Sequence, residues 1–234
     1  MEDTLNNIHP GIFIMMKYPE EGKVKSRLAQ SIGEESATGL YRAFIQDILT
    51  SVRSLDIPFQ IAVYPPESQG EFTQWLGPSY QFFHQQGTDL GQRLQNGFVM
   101  MFKKEYQQVI ALASDSPDLP VEILETAAIS LQTHKVVIGP STDGGYYLIG
   151  FSRDLFIPRA FEEMTWSTES VFKETLSRIE SVTHEVHVLP EWADIDTKSD
   201  IKKFYETYQS QTSKRLHTMK FLRNHPRLLH TLLS

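Results

Sequence analysis

Cysteine is absent from this 234-residue chain. That excludes disulfides, thiolate metal sites and cysteine nucleophiles, and it favours a reducing compartment. Long hydrophobic runs are missing too. No apolar stretch approaches the ~18 residues of a membrane span, and Met1 to Pro10 is polar and acidic rather than signal-like. A soluble, cytoplasmic protein is expected. Several catalytic signatures are also lacking: the Walker phosphate loop, the Gly-x-Gly-x-x-Gly dinucleotide fingerprint, the His-Glu-x-x-His zinc pair and the Gly-x-Ser-x-Gly elbow. Zinc peptidases and serine hydrolases of those kinds are thereby set aside. Acidic residues are missing from one end. None of the 29 Asp and Glu follows Glu206, whereas five of the 22 Lys and Arg do, which leaves residues 1–206 at a net −12. Long-range attraction of nucleic acid is not expected of such a body. A small polyanion held locally by a few cations is compatible with it.

The apolar content of 40% is enough for one sizeable core. Strand-like and helix-like patterns alternate along it. Gly11–Met16, Phe59–Tyr64, Tyr80–His84, Val109–Ala113, Lys135–Ile138, Tyr146–Phe151 and Val182–Leu189 read as strands. Glu34–Leu55, Leu90–Phe102, Pro120–Leu131, Thr168–Ile179 and Ser199–Tyr208 carry apolar residues at helical spacing. Such alternation predicts a mostly parallel sheet with helices on both faces. The stretch from Gly144 to Leu189 breaks it and predicts an antiparallel insertion near one edge. We read residues 1–208 as one catalytic domain and 209–234 as a basic, amphipathic helical tail. The tail is expected to dock on its own acidic body or on a second subunit of a homodimer. Peripheral contact with a membrane surface is the competing reading.

In open sheets of this kind ligands bind beyond the carboxyl ends of the strands. After the first strand come Lys17, Gly22, Lys23, Lys25 and Arg27, cations and a glycine suited to phosphate. Lys23 reads as solvated; Lys17, Lys25 and Arg27 read as functional. After the third come Asp89, Gly91 and Arg93, where Asp89 serves equally as a helix cap. Gly91 just inside a helix implies that something approaches closely. After the fourth come Asp115 and Asp118. Asp115 suits Mg²⁺, which takes one or two carboxylates plus substrate phosphates, while Asp118 could cap the following helix. Asp194-Ile195-Asp196 would point two carboxylates to one side if extended, and one of them could complete a metal site. Asp143-Gly144-Gly145 sits between two strands, as a hairpin turn or a ligand loop.

Four ordered segments carry a resemblance: Lys17-x-Pro19-x-x-Gly22-x-Val24-Lys25-Ser26-Arg27-Leu28, Gly87-x-Asp89-Leu90-Gly91-x-Arg93, Ser114-Asp115-Ser116-Pro117-Asp118-Leu119, and Gly139-Pro140-x-x-Asp143-Gly144-Gly145-Tyr146-Tyr147-Leu148-Ile149-Gly150. Trp166-Ser167-Thr168 and Asp194-Ile195-Asp196-Thr197 follow. The set resembles GT-A-type nucleotide-diphospho-sugar transferases, in a bacterial branch of arsenosugar-biosynthesis glycosyltransferases. Ser26 stands where that branch usually has Thr. The resemblance implies an α/β, Rossmann-like GT-A three-layer sandwich that binds a nucleoside diphosphate sugar. It implies that Lys17, Gly22, Lys25 and Arg27 hold the diphosphate and that Asp89, Gly91 and Arg93 flank the nucleotide. Asp115 and Asp196 would bind a divalent metal, Mg²⁺ or Mn²⁺. Asp143, Gly144, Gly145 and Trp166 would face the sugar or acceptor.

The expected activity is a metal-dependent glycosyl transfer from a nucleoside diphosphate sugar to a small acceptor. Asp115 would anchor the cation that neutralises the leaving phosphate. Asp143 would be the base if the reaction inverts. The segment Val24–Leu28 also resembles the phospholactate guanylyltransferases, so a nucleotidyltransferase is the alternative. A non-catalytic nucleotide-binding module is the third reading.

Overall fold

The computed structural model describes residues 10–211 and 216–233. The stretch up to His9 and the tail cations Lys214 and Arg215 lie outside the described residues. Within them the chain builds a seven-stranded sheet in the order β3-β2-β1-β4-β6-β5-β7. The strands are β1 (Gly11–Lys17), β2 (Phe59–Tyr64), β3 (Phe82–His84), β4 (Gln108–Leu112), β5 (Val136–Pro140), β6 (Tyr146–Ser152) and β7 (Val186–Val188). β1 pairs parallel with both β2 and β4, in registers that set Ile14 beside Ile61 and Leu112. The chain thus turns to opposite sides of β1, and a topological switch opens between β1 and β4.

Alternation along the central strands separates two cores. Ile12, Ile14 and Met16 point to one face, where α1 (Ser26–Ile32), α2 (Glu34–Arg53), α3 (Gln69–Leu76), α5 (Val121–Ser130) and α7 (Lys198–Tyr208) contribute. Phe13 points to the other, against α4 (Leu90–Lys103) and α6 (Val171–Glu180). There Phe13, Phe98, Phe151 and Phe161 form an aromatic cluster, with Phe98 5.2 Å from both Phe13 and Phe151.

The antiparallel strand lies near one edge, two strands in from it. β6 pairs antiparallel with β4 on one side and β5 on the other, so β7 is the edge and β6 lies inside the sheet. Its burial explains the position: Tyr147–Ser152 is buried throughout, which an edge strand would not require. β7 is also shorter than the alternation in Val182–Leu189 suggests, because only Val186–Val188 has a partner on β5.

The tail docks on its own body. α8 (His217–Asn224) packs on α2, and α9 (Pro226–Leu233) packs on α7. Met219, Leu222, Leu228 and Leu232 join the core beside the α2 residues. Each such burial stabilises by roughly 1.5–3 kcal/mol before ordering costs. α8 has no side-chain cap of its own, and Asp47 of α2 supplies one. Its buried carboxylate accepts from the backbone N–H of His217 (2.5 Å) and of Thr218 (2.9 Å), and from the Thr218 hydroxyl (2.6 Å). Burial pushes the Asp47 carboxyl above its usual range, and the bonds from Thr218 and His217 hold it back. Asp47→Ala is expected to destabilise the fold by about 1–3 kcal/mol and to raise amide exchange across α8 and α9 first. Denaturant unfolding with residue-resolved hydrogen exchange checks this; unchanged protection in α8 would contradict it.

Candidate active site

The cleft is organised around one ammonium. Lys25 lies at the start of α1 in the left-handed region, with φ 48°, a conformation that costs a non-glycine residue about 1 kcal/mol or more. Its side chain, 5% exposed, reaches the loop after β4 and the segment before α7. Nζ lies 2.5 Å from Asp115 Oδ1 and donates to Asp196 Oδ1 at 2.7 Å and to the Ile195 carbonyl at 2.8 Å. Burial works against that charge, but Asp115 and Asp196 outweigh it and hold the lysine pKa above its ordinary value. Burial would likewise raise Asp196, yet Lys25 and Arg27 bring its carboxyl below the usual range. Arg27 forms a short ion pair with the other Asp196 oxygen. The Ile195 N–H donates to the Asp115 carbonyl at 3.0 Å, so the two acidic segments are stitched together. Ile195 is buried while Asp194 and Asp196 turn to the cleft, as the alternation predicts.

On one side of this node lies a cationic cavity of about 340 Å³ lined by Lys17, Lys23, Lys25, Arg27, Tyr41, Asp115 and Asp196, among others. Lys23, read as solvated, does line it, while paired with Glu20 at 2.8 Å. Lys17 makes no ion pair among the described residues and is exposed. Tyr41 went unnoticed in the sequence because it sits in the apolar stripe of α2. Its hydroxyl accepts from the Lys17 N–H (3.3 Å) and meets Ser114 Oγ (2.9 Å), which donates to the Met15 carbonyl. Burial, with Asp115 nearby, pushes the phenol up to about 12. Tyr41 therefore stays a neutral hydroxyl that fixes the β1 and β4 ends together.

On the other side lies an acidic cavity of about 290 Å³. Asp115, Asp143, Asp194 and Asp196 line it, together with Ser116, Ser141, Gly145, Tyr146 and Trp166. Asp143 Oδ1 accepts from the Gly145 N–H at 2.9 Å, which makes the loop an Asx turn whose carboxylate faces the opening. Asp194 accepts from Ser141 Oγ at 3.1 Å. Burial, then the charges of Asp143 and Asp196, push the Asp194 carboxyl up to about 6.

The remaining expected residues divide. Asp115 and Asp196 line both cavities, Lys17, Lys25 and Arg27 the first, and Asp143, Gly145 and Trp166 the second. Asp89, Gly91 and Arg93 line neither. Asp89 caps α4 by accepting from the Gln92 N–H. Arg93 stacks 3.9 Å from the centre of the Tyr64 ring and donates to the Gly87 carbonyl. What approaches Gly91 is the chain itself, since a Cβ there would lie 2.3 Å from the Phe161 carbonyl. Gly144 is likewise internal: φ is +90°, and a Cβ would fall 2.4 Å from the Glu169 backbone. Gly22, at φ +76°, shapes the loop beside the Glu34 carboxylate and lies outside the lining. Asp118 caps nothing. It accepts from the Trp192 indole (3.2 Å) and the Tyr208 hydroxyl (3.0 Å), locking the 192 segment and α7 to the β4 loop. Thr197 and Asp200 form a capping box at the start of α7.

Among the described residues no group of three or more His, Cys, Asp or Glu is assembled for a metal ion. Asp115 and Asp196 nevertheless converge on one point with hard oxygen donors, and that point is held by the Lys25 ammonium. The pair supplies the hard oxygen donors that a divalent cation takes alongside phosphate or water.

Comparison with known proteins agrees with this architecture. The family described as "Uncharacterized protein conserved in bacteria (DUF2064)" matches residues 48–168. A protein of Desulfovibrio desulfuricans G20, provisionally assigned as a nucleotide-diphospho-sugar transferase, is 37% identical, with a TM-score of 0.90 over 95% of this chain and 97% of its own. CMP:2-keto-3-deoxy-manno-octonic acid synthetase in complex with CTP shares the fold at 13% identity and a TM-score of 0.55, over 86% of this chain and 99% of its own. The inositol-1-phosphate CTP transferase of T. maritima does so at 13% and 0.54, over 86% and 96%. No curated protein sequence matches the chain.

The raised Asp194 pKa has a sign that can be measured. The folded state holds this proton more tightly than the unfolded chain, so the associated stability is full below the ordinary carboxylate value of 3.8 and is lost as pH rises through about 6. Thermal melts across that window are expected to show wild type losing stability relative to Asp194→Asn as pH rises. A wild type that gains on the variant would contradict the account.

Proposed function

The chain belongs to the DUF2064 family, and from that footing we propose that it is a metal-dependent glycosyltransferase that moves a sugar from a nucleoside diphosphate sugar to a small acceptor. The observation that carries this reading is the cleft itself, in which Lys25 joins a cationic cavity to an acidic one through Asp115 and Asp196. Lys17, Lys25 and Arg27 would grip the diphosphate. As the glycosidic bond to phosphate breaks, negative charge grows on the departing oxygen, and the preorganised Lys25 and Arg27 charges would stabilise it. A divalent ion held by Asp115 and Asp196 would add Lewis-acid neutralisation of the same charge. Asp143, exposed at the mouth of the acidic cavity, would take the proton of the acceptor hydroxyl if the reaction inverts. The ordered motifs support the arsenosugar-biosynthesis branch, and the lack of cysteine supports a cytoplasmic setting.

The alternative is a nucleotidyltransferase, which the CTP-using fold neighbours keep in view. Its second substrate would bring a phosphate or carboxylate into the acidic cavity. That cavity has four carboxylates and no Lys or Arg among its described lining residues, which favours glycosyl transfer.

The deciding assay offers UDP- and GDP-sugars against nucleoside triphosphates, with and without Mg²⁺ or Mn²⁺. Release of UDP or GDP from the sugar donors is the expected result. Pyrophosphate release from triphosphates, with the sugar nucleotides untouched, would reverse the ranking. Asp115→Ala is expected to lower kcat/KM by well over ~100-fold, more than the loss of an outer-shell metal contact. Near-normal metal-dependent turnover by that variant would remove Asp115 from the mechanism.

A further inference from the structure

The acidic cavity contains more negative charge than the protein matches. Asp115 and Asp196 are offset by Lys25 and Arg27. Asp143 and Asp194 form no ion pair among the described residues, although both line the same space of about 290 Å³. One hydrogen bond each, from the Gly145 N–H to Asp143 and from Ser141 Oγ to Asp194, relieves this crowding only in part, and a cation between them would complete it. A second, separate feature points to a ligand. Ser116 lines this cavity, is 2% exposed, and its hydroxyl has no hydrogen-bond partner. Buried hydroxyls are normally satisfied, so an orphan beside a cavity marks where a polar group belongs. Trp166 and Tyr146, with ring centres 6.5 Å apart, add flat apolar faces to the same walls, and Ser167 and Thr168 add hydroxyls.

We propose that this cavity is the acceptor subsite and that its acceptor is a small polyhydroxylated molecule bearing an ammonium group. Its hydroxyls would engage Ser116 and Asp143, its cation would sit between Asp143 and Asp194, and its carbon face would lie against the Trp166 and Tyr146 rings. A phosphorylated or carboxylated acceptor is disfavoured by the same charges. The term acceptor rests on the glycosyl-transfer reading; the charge preference does not.

Saturation-transfer NMR and competition titrations on the full chain, with inorganic pyrophosphate added to fill the cationic cavity and without donor or metal, would compare glucosamine, glucose and glucosamine 6-phosphate. Glucosamine is expected to bind about 10-fold more tightly than glucose, the size of preference that two partly screened carboxylates give. Glucosamine 6-phosphate is expected to be weakest. Asp143→Asn should shrink the glucosamine preference, and Ser116→Ala should weaken glucosamine and glucose alike. Tightest binding of the phosphate ester, a preference unchanged in Asp143→Asn, or no saturation transfer from any of the three at millimolar concentration would overturn the proposal. With no donor present, these results are independent of the donor assay. Turnover of triphosphates would refute glycosyl transfer and leave this ranking standing or falling by itself.

Discussion

The Lys25 ammonium, held between Asp115 and Asp196, is the contact on which the cleft depends. Three distant pieces of chain meet there: the loop after β1, the loop after β4 and the segment before α7. A buried lysine is tolerable only when its charge is matched, so each partner makes the others' placement affordable. The left-handed backbone at Lys25 and the Ile195–Asp115 backbone bond are the local geometry that lets one nitrogen reach both carboxylates. Removing any one member would leave an uncompensated charge at the carboxyl end of the sheet.

That node also divides the cleft by charge. Cations gather on the side of the β1 loop, and carboxylates gather toward β6 and the segment after β7. A substrate with an anionic end and a hydroxylated end would be oriented by this gradient before any specific contact forms. Polar bonds cross-link the scaffold beneath. Asp118 locks Trp192 and Tyr208, Tyr41 ties the β1 and β4 ends, and Asp47 pins the tail on α2.

Much of this was legible in the sequence. β1, β2, β4, β5 and β6 are mostly apolar runs, broken in β2 by Gln60, and the cleft residues Lys17, Asp115 and Asp143 lie at or just after their ends. The place of β6 in the strand order was not legible, because that order depends on which edges pair rather than on local pattern. α1 and α3 were not read as helices: they have seven and eight residues and no side-chain cap. Arg93 and Gly91 look like ligand contacts by spacing, yet Tyr64 and the Phe161 carbonyl, both remote in sequence, engage them. Tyr41 and Ser116 were missed for the opposite reason. One resembles a core residue and the other a turn former, and only the fold brings their hydroxyls to the cleft. The Asp47 cap joins residues 170 positions apart, beyond the reach of any local motif.

The most direct test of the central claim is the affinity of the full chain for UDP and GDP, titrated calorimetrically into wild type and Lys25→Met at matched thermal stability. If this ammonium is the charge that anchors a diphosphate, the variant binds at least about 10-fold more weakly, the expected effect of losing a charge-assisted contact. Equal affinity in the two proteins would contradict the account.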